Sequence, residues 1–220
     1  MTKKFVKRAI TLAVLGSLLT FGVVFAQGYG YGWNTNNSAT TLTATPEVKA
    51  ALLEALTGPE GEYAAYAMYD AVIEKYGEVE PYVTIRAAEA RHIAALQRQL
   101  DKYGIDYPEE NPYLGKVEAP DSLEAAAKAW ADGEIANVEL YDRLLEQIPA
   151  DEYPDVTRVF ENLRRASLDA HLPMFKAAAE NGGTLTPEQM QELSPRGLYG
   201  GYGSGYGAEH GGHGRWGDCD

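Results

Sequence analysis

The sequence predicts an all-α fold, a four-helix bundle with one long crossover connection. Between residues 45 and 193 the apolar residues recur every three or four positions, as they do on the core face of a helix. Capping residues, prolines and glycines divide this stretch into four long and two short helical segments. One connection between long segments, residues 104–120, is far longer than the other two, and no segment alternates as a strand would.

Local signals delimit each predicted helix. Thr45 and Pro46 open the first short helix, Thr186 precedes the last one, and a capping box over Asp121 to Glu124 opens the third long helix. A glycine ends each of the first two long helices, and Pro173 predicts a kink inside the fourth. The predicted helices cover, to within a few residues, 46–56, 60–76, 80–103, 122–148, 154–180 and a last short segment that begins at 187.

The lengths of the connections predict the topology. The first two long helices and the last two are joined by short connections, so each pair is expected to form an antiparallel hairpin. The connection over residues 104–120 can reach about 55 Å when extended, whereas a helix of about 25 residues is about 37 Å long. It can therefore cross the whole bundle, which is the ferritin-like arrangement.

The N-terminus is typical of a secretory signal peptide. Basic residues within positions 3–8 precede a mostly apolar run over residues 9–24, and Ala26 predicts a signal peptide at 1–26 with cleavage before Gln27. The mature protein is then expected to be secreted or periplasmic, in the cell envelope, with no stable membrane span. The alternative is an uncleaved anchor, because the apolar run has about the minimum length for a span.

Two Gly/Tyr-rich segments flank the helical domain that we predict at 45–195. Residues 27–44 and 196–220 contain glycine at a density that disfavours folding, so we expect both to be disordered. They are either simply solvated or in contact with envelope polymers. His210 and His213 in the second tail offer at most a weak site for a soft metal.

The charge and cysteine content exclude several functional classes. The chain has 19 basic and 32 acidic residues, a formal charge of −13, and loss of the four bases in residues 1–26 would lower this charge to −17. A surface this acidic disfavours nucleic acid as a partner. Cys219 is the only cysteine, which excludes an internal disulfide framework, a four-cysteine metal site and a Cys-x-x-Cys motif.

Ionisable residues interrupt the apolar stripe of each long helix. The other stripe positions hold core residues such as alanine, leucine and tyrosine, spaced three and four apart. When the helices are aligned in the predicted topology, the ionisable residues fall within about 8 Å of one another along the bundle axis. They are therefore expected to converge on one layer of the core: Glu62, Glu89, His92, Glu134 and His171.

Such a layer predicts a metal site. Burying these charges without partners would cost several kcal/mol each, and a divalent ion would offset that cost. Mixed carboxylate and imidazole ligands suit iron, manganese or zinc. The spacing of Glu89 and His92 places two ligands one turn apart on the same face. The alternative is a buried polar network of glutamate, histidine and tyrosine with water.

The same residues carry a resemblance to a known family. Over about residues 45–180 the chain resembles the ferritin-like superfamily, near the rubrerythrins, and more closely an uncharacterised ferritin-like family of bacteria and archaea. This resemblance implies a di-iron or di-manganese centre with the five residues above as ligands, and with Glu89, or also Glu134, as a bridging carboxylate. The matching residues are Glu62 to Tyr69, Ala88 to His92, Gly104 to Asp106, Glu134 with Asn137, and Ala166-Ser167 leading to His171-Leu172.

The fourth long helix departs from the family pattern. The residue three before His171 is Leu168 rather than a glutamate, and Asp169 lies about 200° round an α-helix from His171. The second metal would therefore lack a carboxylate. Ser167, water or Tyr141 could complete it, or the site could hold a single metal.

Two functions follow as expectations. In the first, a secreted oxidoreductase uses iron or manganese to react with O2 or peroxide, either oxidising Fe(II) or removing peroxide. Tyr66, Tyr69 and Tyr141 would then tune the metal or relay electrons, unless they simply fill the core. In the second, the protein is a non-catalytic envelope module with one metal or none. Assembly into a homo-oligomer is left open.

Overall fold

The computed structural model describes residues 42–194, and all of its regular elements are helices. No strand occurs within this range, which confirms the all-α prediction. The predicted signal peptide and nearly all of the two predicted disordered segments lie outside the described residues. The helices are α1 (Pro46–Thr57), α2 (Glu62–Tyr76), α3 (Tyr82–Lys102), α4 (Leu123–Leu145), α5 (Pro154–Ala166), α6 (Leu172–Glu180) and α7 (Pro187–Leu193).

Thr45 and Thr186 cap their helices as predicted, whereas the capping box predicted over Asp121 to Glu124 is a single cap at Ser122. The Thr45 side chain accepts a hydrogen bond from the backbone of Val48 at the start of α1, and the Ser122 side chain does the same for α4. Thr186 opens α7 with a full capping box. The prediction for the end of α4 was wrong by three residues, because Ile148 precedes Pro149 and the residue before a proline disfavours the α conformation.

A five-residue π-helical turn, Ser167–His171, joins α5 to α6. Its wider winding is shown by the backbone N–H of Leu172, which donates to the carbonyl of Ser167 five residues earlier. Pro173 follows at once, in the first turn of α6. Because proline lacks an N–H and its ring crowds the preceding turn, it favours such a local widening. The single kinked helix predicted over 154–180 is therefore two α-helices with a π turn between them.

The connection over residues 104–120 runs along α2. Near the start of α2, the Tyr63 hydroxyl donates to the carbonyl of Pro108 at 2.7 Å, and the Asn111 amide donates to the carbonyl of Tyr63 at 2.8 Å. At the other end of α2, the Tyr76 hydroxyl donates to the carbonyl of Pro120 at 2.6 Å. The connection therefore spans the length of this helix, so α4 begins near the end of α2.

The buried apolar residues form two separate clusters. α2 packs against α3, α4 packs against α5 and α6, and α1 covers one end of α3 and α4. The first cluster surrounds Leu96, Leu144 and Phe160, and the second surrounds Val72 and Met174. The ionisable residues predicted from the sequence lie in the layer between the two clusters, where α2, α3, α4 and the π turn face one another. No helix within residues 42–194 combines the length and apolarity needed to cross a bilayer.

Candidate metal centre

The structure brings all five predicted ligands into this one layer. Glu62 is the first residue of α2, and Gly61 before it has no room for a side chain, because a Cβ there would lie 2.5 Å from the carbonyl oxygen of Ala55. Glycine at this position therefore allows α1 to approach the ligand end of α2. The other four are Glu89 and His92 in the middle of α3, Glu134 in the middle of α4, and His171 at the end of the π turn.

The five side chains form two overlapping triads. In each triad, one ligand atom from each residue lies within 4.8 Å of the other two. The first half-site consists of Glu62, Glu89 and His92, and the second half-site consists of Glu89, Glu134 and His171. Glu89 belongs to both, and this sharing is the geometry that a bridging carboxylate requires.

The two oxygens of Glu89 face the two imidazoles. Nδ1 of His92 lies 2.8 Å from Oε2 of Glu89 and 3.2 Å from Oε2 of Glu62. Nδ1 of His171 lies 3.1 Å from Oε1 of Glu89 and 3.4 Å from Oε1 of Glu134. The two imidazole rings stack, with centroids 5.5 Å apart and planes inclined by 21°.

Nδ1 of His171 makes no well-aligned hydrogen bond, although it is buried. The carboxylate oxygens of Glu89 and Glu134 are close enough, but neither has the direction that a hydrogen bond needs. Buried polar atoms are nearly always satisfied, so an exception calls for an explanation. An imidazole nitrogen directed among carboxylate oxygens is a donor that a metal ion would use once it displaces the proton, and the residues of both half-sites fit a pair of divalent cations.

A tyrosine holds the outer carboxylate of each half-site. The Tyr141 hydroxyl donates to Oε1 of Glu62 at 2.5 Å, and the Tyr69 hydroxyl donates to Oε1 of Glu134. Burial, and then the neighbouring carboxylate, raises the pKa of both tyrosines well above the usual value. Both hydroxyls therefore keep their protons and act as fixed donors, as groups that orient metal ligands commonly do.

Burial and mutual repulsion set the charge of the carboxylates. Burial first, and then the charge of Glu89, raises the pKa of Glu62 to about 7. Burial also acts to raise the pKa of Glu89, but His92, a hydrogen bond with Glu62 and His171 together lower that pKa well below its usual value. In the metal-free site at neutral pH, Glu89 is thus the fixed negative charge and Glu62 is close to its midpoint.

For the two imidazoles, burial and the facing carboxylates shift the pKa in opposite directions. Burial acts to lower the pKa of each, but the facing carboxylates outweigh it. Glu89 and Glu62 raise the pKa of His92 to about 10, and Glu134 and Glu89 raise the pKa of His171 to about 9. Without a metal, bound protons therefore neutralise this layer. Metal binding must displace them, which couples metal affinity to pH.

The side chains of the π turn show which groups of the fourth long helix reach the core. Leu168 is 38% exposed, and Asp169 is exposed as well. Ser167 is buried, and its hydroxyl donates to Oδ1 of Asn137 at 2.9 Å. Tyr141 bonds to Glu62 and so serves the first half-site. The π turn therefore contributes no carboxylate to the core.

Sequence reasoning did not find the π turn or the role of Asn137. An α-helical period cannot foresee the wider winding ahead of Pro173. In the sequence, Asn137 is indicated by the family resemblance, and its position one turn after Glu134 is a further signal. Its amide donates to the carbonyl of Glu60 at 2.9 Å, so it ties α4 to the segment that precedes α2.

Comparison of the chain with protein-family models, with curated proteins and with solved structures gives no match.

Proposed function

We propose that this chain is a ferritin-like metalloprotein of the cell envelope, a four-helix bundle with one long crossover whose core holds two ions of iron or manganese. The observation that carries the proposal is the position of Glu89, whose two carboxylate oxygens face one imidazole each in two adjoining triads. A polar network does not need this duplication. A pair of cations does, because a bridging carboxylate offsets part of their repulsion.

Each ion would have its own histidine and its own outer carboxylate. Glu62 and His92 would hold the first ion, Glu134 and His171 would hold the second, and Glu89 would lie between them. Oxygen and imidazole donors without thiolate favour iron and manganese and are also compatible with zinc. The ligands come from three α-helices and a π turn packed between two apolar clusters, so their positions are set before any metal binds.

The proposed activity is oxidation of Fe(II) or removal of peroxide. When bound, a pair of redox-active ions supplies the two electrons that convert hydrogen peroxide and two protons to water. The protein holds the ligands, keeps bulk water out and admits a small substrate. Tyr69 and Tyr141 do the first of these by fixing the outer carboxylates. Access is on the side of His92, whose side chain is 13% exposed while the other ligands are almost fully buried.

The missing carboxylate favours a second candidate, a non-catalytic module that binds one metal. Only the first half-site has both carboxylates hydrogen-bonded to its imidazole. A structural ion could occupy it alone, and the second half-site would then stay protonated. Attachment to the envelope through the tails belongs to this candidate and concerns residues outside the described range.

Metal counting under anaerobic conditions separates these candidates. The mature chain, residues 27–220, would be loaded with Fe(II), measured by mass spectrometry and then mixed with O2 or with hydrogen peroxide. Glu89→Ala combined with His92→Ala removes the shared ligand and one imidazole. Glu161→Gln, a change at an exposed glutamate of α5, is the matched surface control.

Two ions per chain, with rapid oxidation that is lost in the double variant and kept in the surface control, is the expected result. One ion without redox turnover would support the structural module instead. Absence of metal from both the wild type and the double variant would contradict the proposal and identify the layer as a polar network.

A further inference from the structure

Four exposed arginines form no ion pair with any carboxylate of residues 42–194. The other three arginines of this range each pair with a carboxylate on a neighbouring helix. In a chain with a formal charge of −13, unpaired arginines on adjacent helices call for an explanation. The four belong to two helices: Arg91 and Arg98 to α3, and Arg158 and Arg165 to α5.

The contacts between α3 and α5 give the relative position of these arginines. Nζ of Lys102 lies 2.5 Å from Oδ2 of Asp155, and the Tyr103 hydroxyl donates to Oδ1 of the same carboxylate at 3.1 Å. Beyond the other end of α5, the ring of His171 stacks on that of His92, ten residues before Lys102. The two helices are therefore antiparallel, and Lys102 and Asp155 mark the seam between them.

Both pairs of arginines lie on the solvent side of this seam. Successive residues of an α-helix are about 100° apart, so the two arginines of α3 lie within about 40° of Lys102 around the helix axis. The two arginines of α5 lie within about 80° of Asp155, again turned away from the core. To within about one helical turn they lie opposite each other along the seam, Arg91 with Arg165 and Arg98 with Arg158.

These four side chains form what we call the arginine face. Two arginines seven residues apart on one helix are about 10 Å apart along its axis, and packed helices lie about 8–10 Å apart. The side chains between them are small or polar, namely Ala94, Ala95 and Asn162. Glu161 is an exposed acid at the edge of this face and forms no ion pair with its arginines. The face is therefore a broad area of positive charge on an acidic chain.

This composition favours a layer of phosphate groups over a protein as the partner. Specific protein interfaces place aromatic or other large side chains at their centre, whereas the centre of the arginine face holds alanine and asparagine. A guanidinium group binds a phosphate through two parallel hydrogen bonds. Anionic phospholipids present phosphates across a plane, so several arginines of one face can bind them at once.

We propose that the arginine face docks this protein on the surface of an anionic phospholipid membrane. The contact is electrostatic and reversible, because four basic residues near such a surface contribute a moderate affinity. The rest of the chain is acidic and is repelled by the same membrane, which fixes the orientation. No arginine of this face belongs to the proposed metal centre, so this binding does not depend on metal.

Sedimentation with vesicles tests the proposal. The mature chain, residues 27–220, would be mixed at low ionic strength with vesicles of equal parts phosphatidylglycerol and phosphatidylcholine, or with vesicles of phosphatidylcholine alone. We expect binding to the anionic vesicles only, and its loss as salt is added, because salt screens exposed charges. Absence of binding to the anionic vesicles at low salt would overturn the proposal.

Two double variants with the same change in charge locate the binding. Arg91→Gln with Arg165→Gln removes one arginine of the face from each helix and should weaken vesicle binding by about tenfold or more. Lys128→Gln with Arg143→Gln removes two exposed charges of α4 that take part in ion pairs, and vesicle binding should stay close to that of the wild type.

Equal weakening in both double variants would indicate a general effect of net charge and would contradict the assignment to this face. Unchanged binding in the first variant would contradict it as well, because the contact would then lie elsewhere in the chain. Metal content, measured on the same samples, should be the same in the wild type and both variants. A failure of membrane binding is thereby distinguished from a failure of the proposed metal centre.

Discussion

The two half-sites are similar in composition and different in how the chain builds them. The first comes from the hairpin of α2 and α3, and its imidazole is hydrogen-bonded to both of its carboxylates. The second needs α4 and the π turn as well, and Nδ1 of its imidazole has no aligned partner. In the metal-free chain, the half-site built from a local hairpin thus has an imidazole with aligned partners, while the half-site assembled from distant segments leaves one imidazole nitrogen without an aligned partner.

Removing the shared carboxylate is expected to have the largest effect, because it affects both half-sites at once. Glu89→Gln keeps the size of the side chain and removes its charge. Both ions should be lost at metal concentrations that saturate the wild type, since an uncharged amide is a poor bridge between two cations. Mass spectrometry of the metals checks this. Glu161→Gln at the surface should retain two ions, and retention of two ions by Glu89→Gln would contradict the shared role.

Changing one outer carboxylate at a time should separate the half-sites. Glu62→Gln is expected to lose the first ion and Glu134→Gln the second, each leaving one ion per chain. The second half-site should be the more sensitive of the two, because it has no hydrogen-bonded imidazole to preserve its geometry. Metal titrations monitored by calorimetry give the stoichiometry. Loss of both ions from either variant would show that the ions bind only as a pair.

Part of this site could be predicted from the sequence, and part could not. All five proposed ligands could be identified because each interrupts an apolar stripe that follows the α-helical period. The π turn itself could not be predicted in this way, because it adds a residue that no periodic pattern contains. The hydrogen bonds that Tyr69 and Tyr141 donate to the outer carboxylates could not be predicted either, because a tyrosine on an apolar stripe is also an ordinary core residue.

The pH dependence of the metal-free protein should report the imidazoles of both half-sites. Their pKa values in the folded protein, about 10 for His92 and about 9 for His171, lie above the ordinary value of 6.5. The stabilisation they provide is therefore complete below about pH 6.5 and is lost as the pH rises toward 9 and 10. Glu62, whose pKa is raised to about 7, acts in the same direction from about pH 4.5 to 7.

Thermal unfolding of the metal-free chain should accordingly show a midpoint that falls from pH 6 to pH 9. Bound manganese should reduce or reverse this fall, because metal binding displaces the same protons and strengthens as the pH rises. His92→Gln should flatten the curve for the metal-free chain by removing the part due to the first half-site. A midpoint that is constant from pH 6 to 9 without metal would mean that the imidazoles are neutral in the folded chain.

The smallest expected effect is the loss of one tyrosine hydroxyl. Tyr141→Phe should weaken the first ion and Tyr69→Phe the second, each by about 10- to 100-fold, as is usual for a group that orients a metal ligand. Tyr63→Phe is the matched control, because its hydroxyl bonds to the long connection and to Gln97, not to a proposed ligand. If both site variants weaken the same ion, the two tyrosines act on the centre as a whole. The division into half-sites would then describe the metal-free chain only, because a bound pair of ions would couple the carboxylates through Glu89.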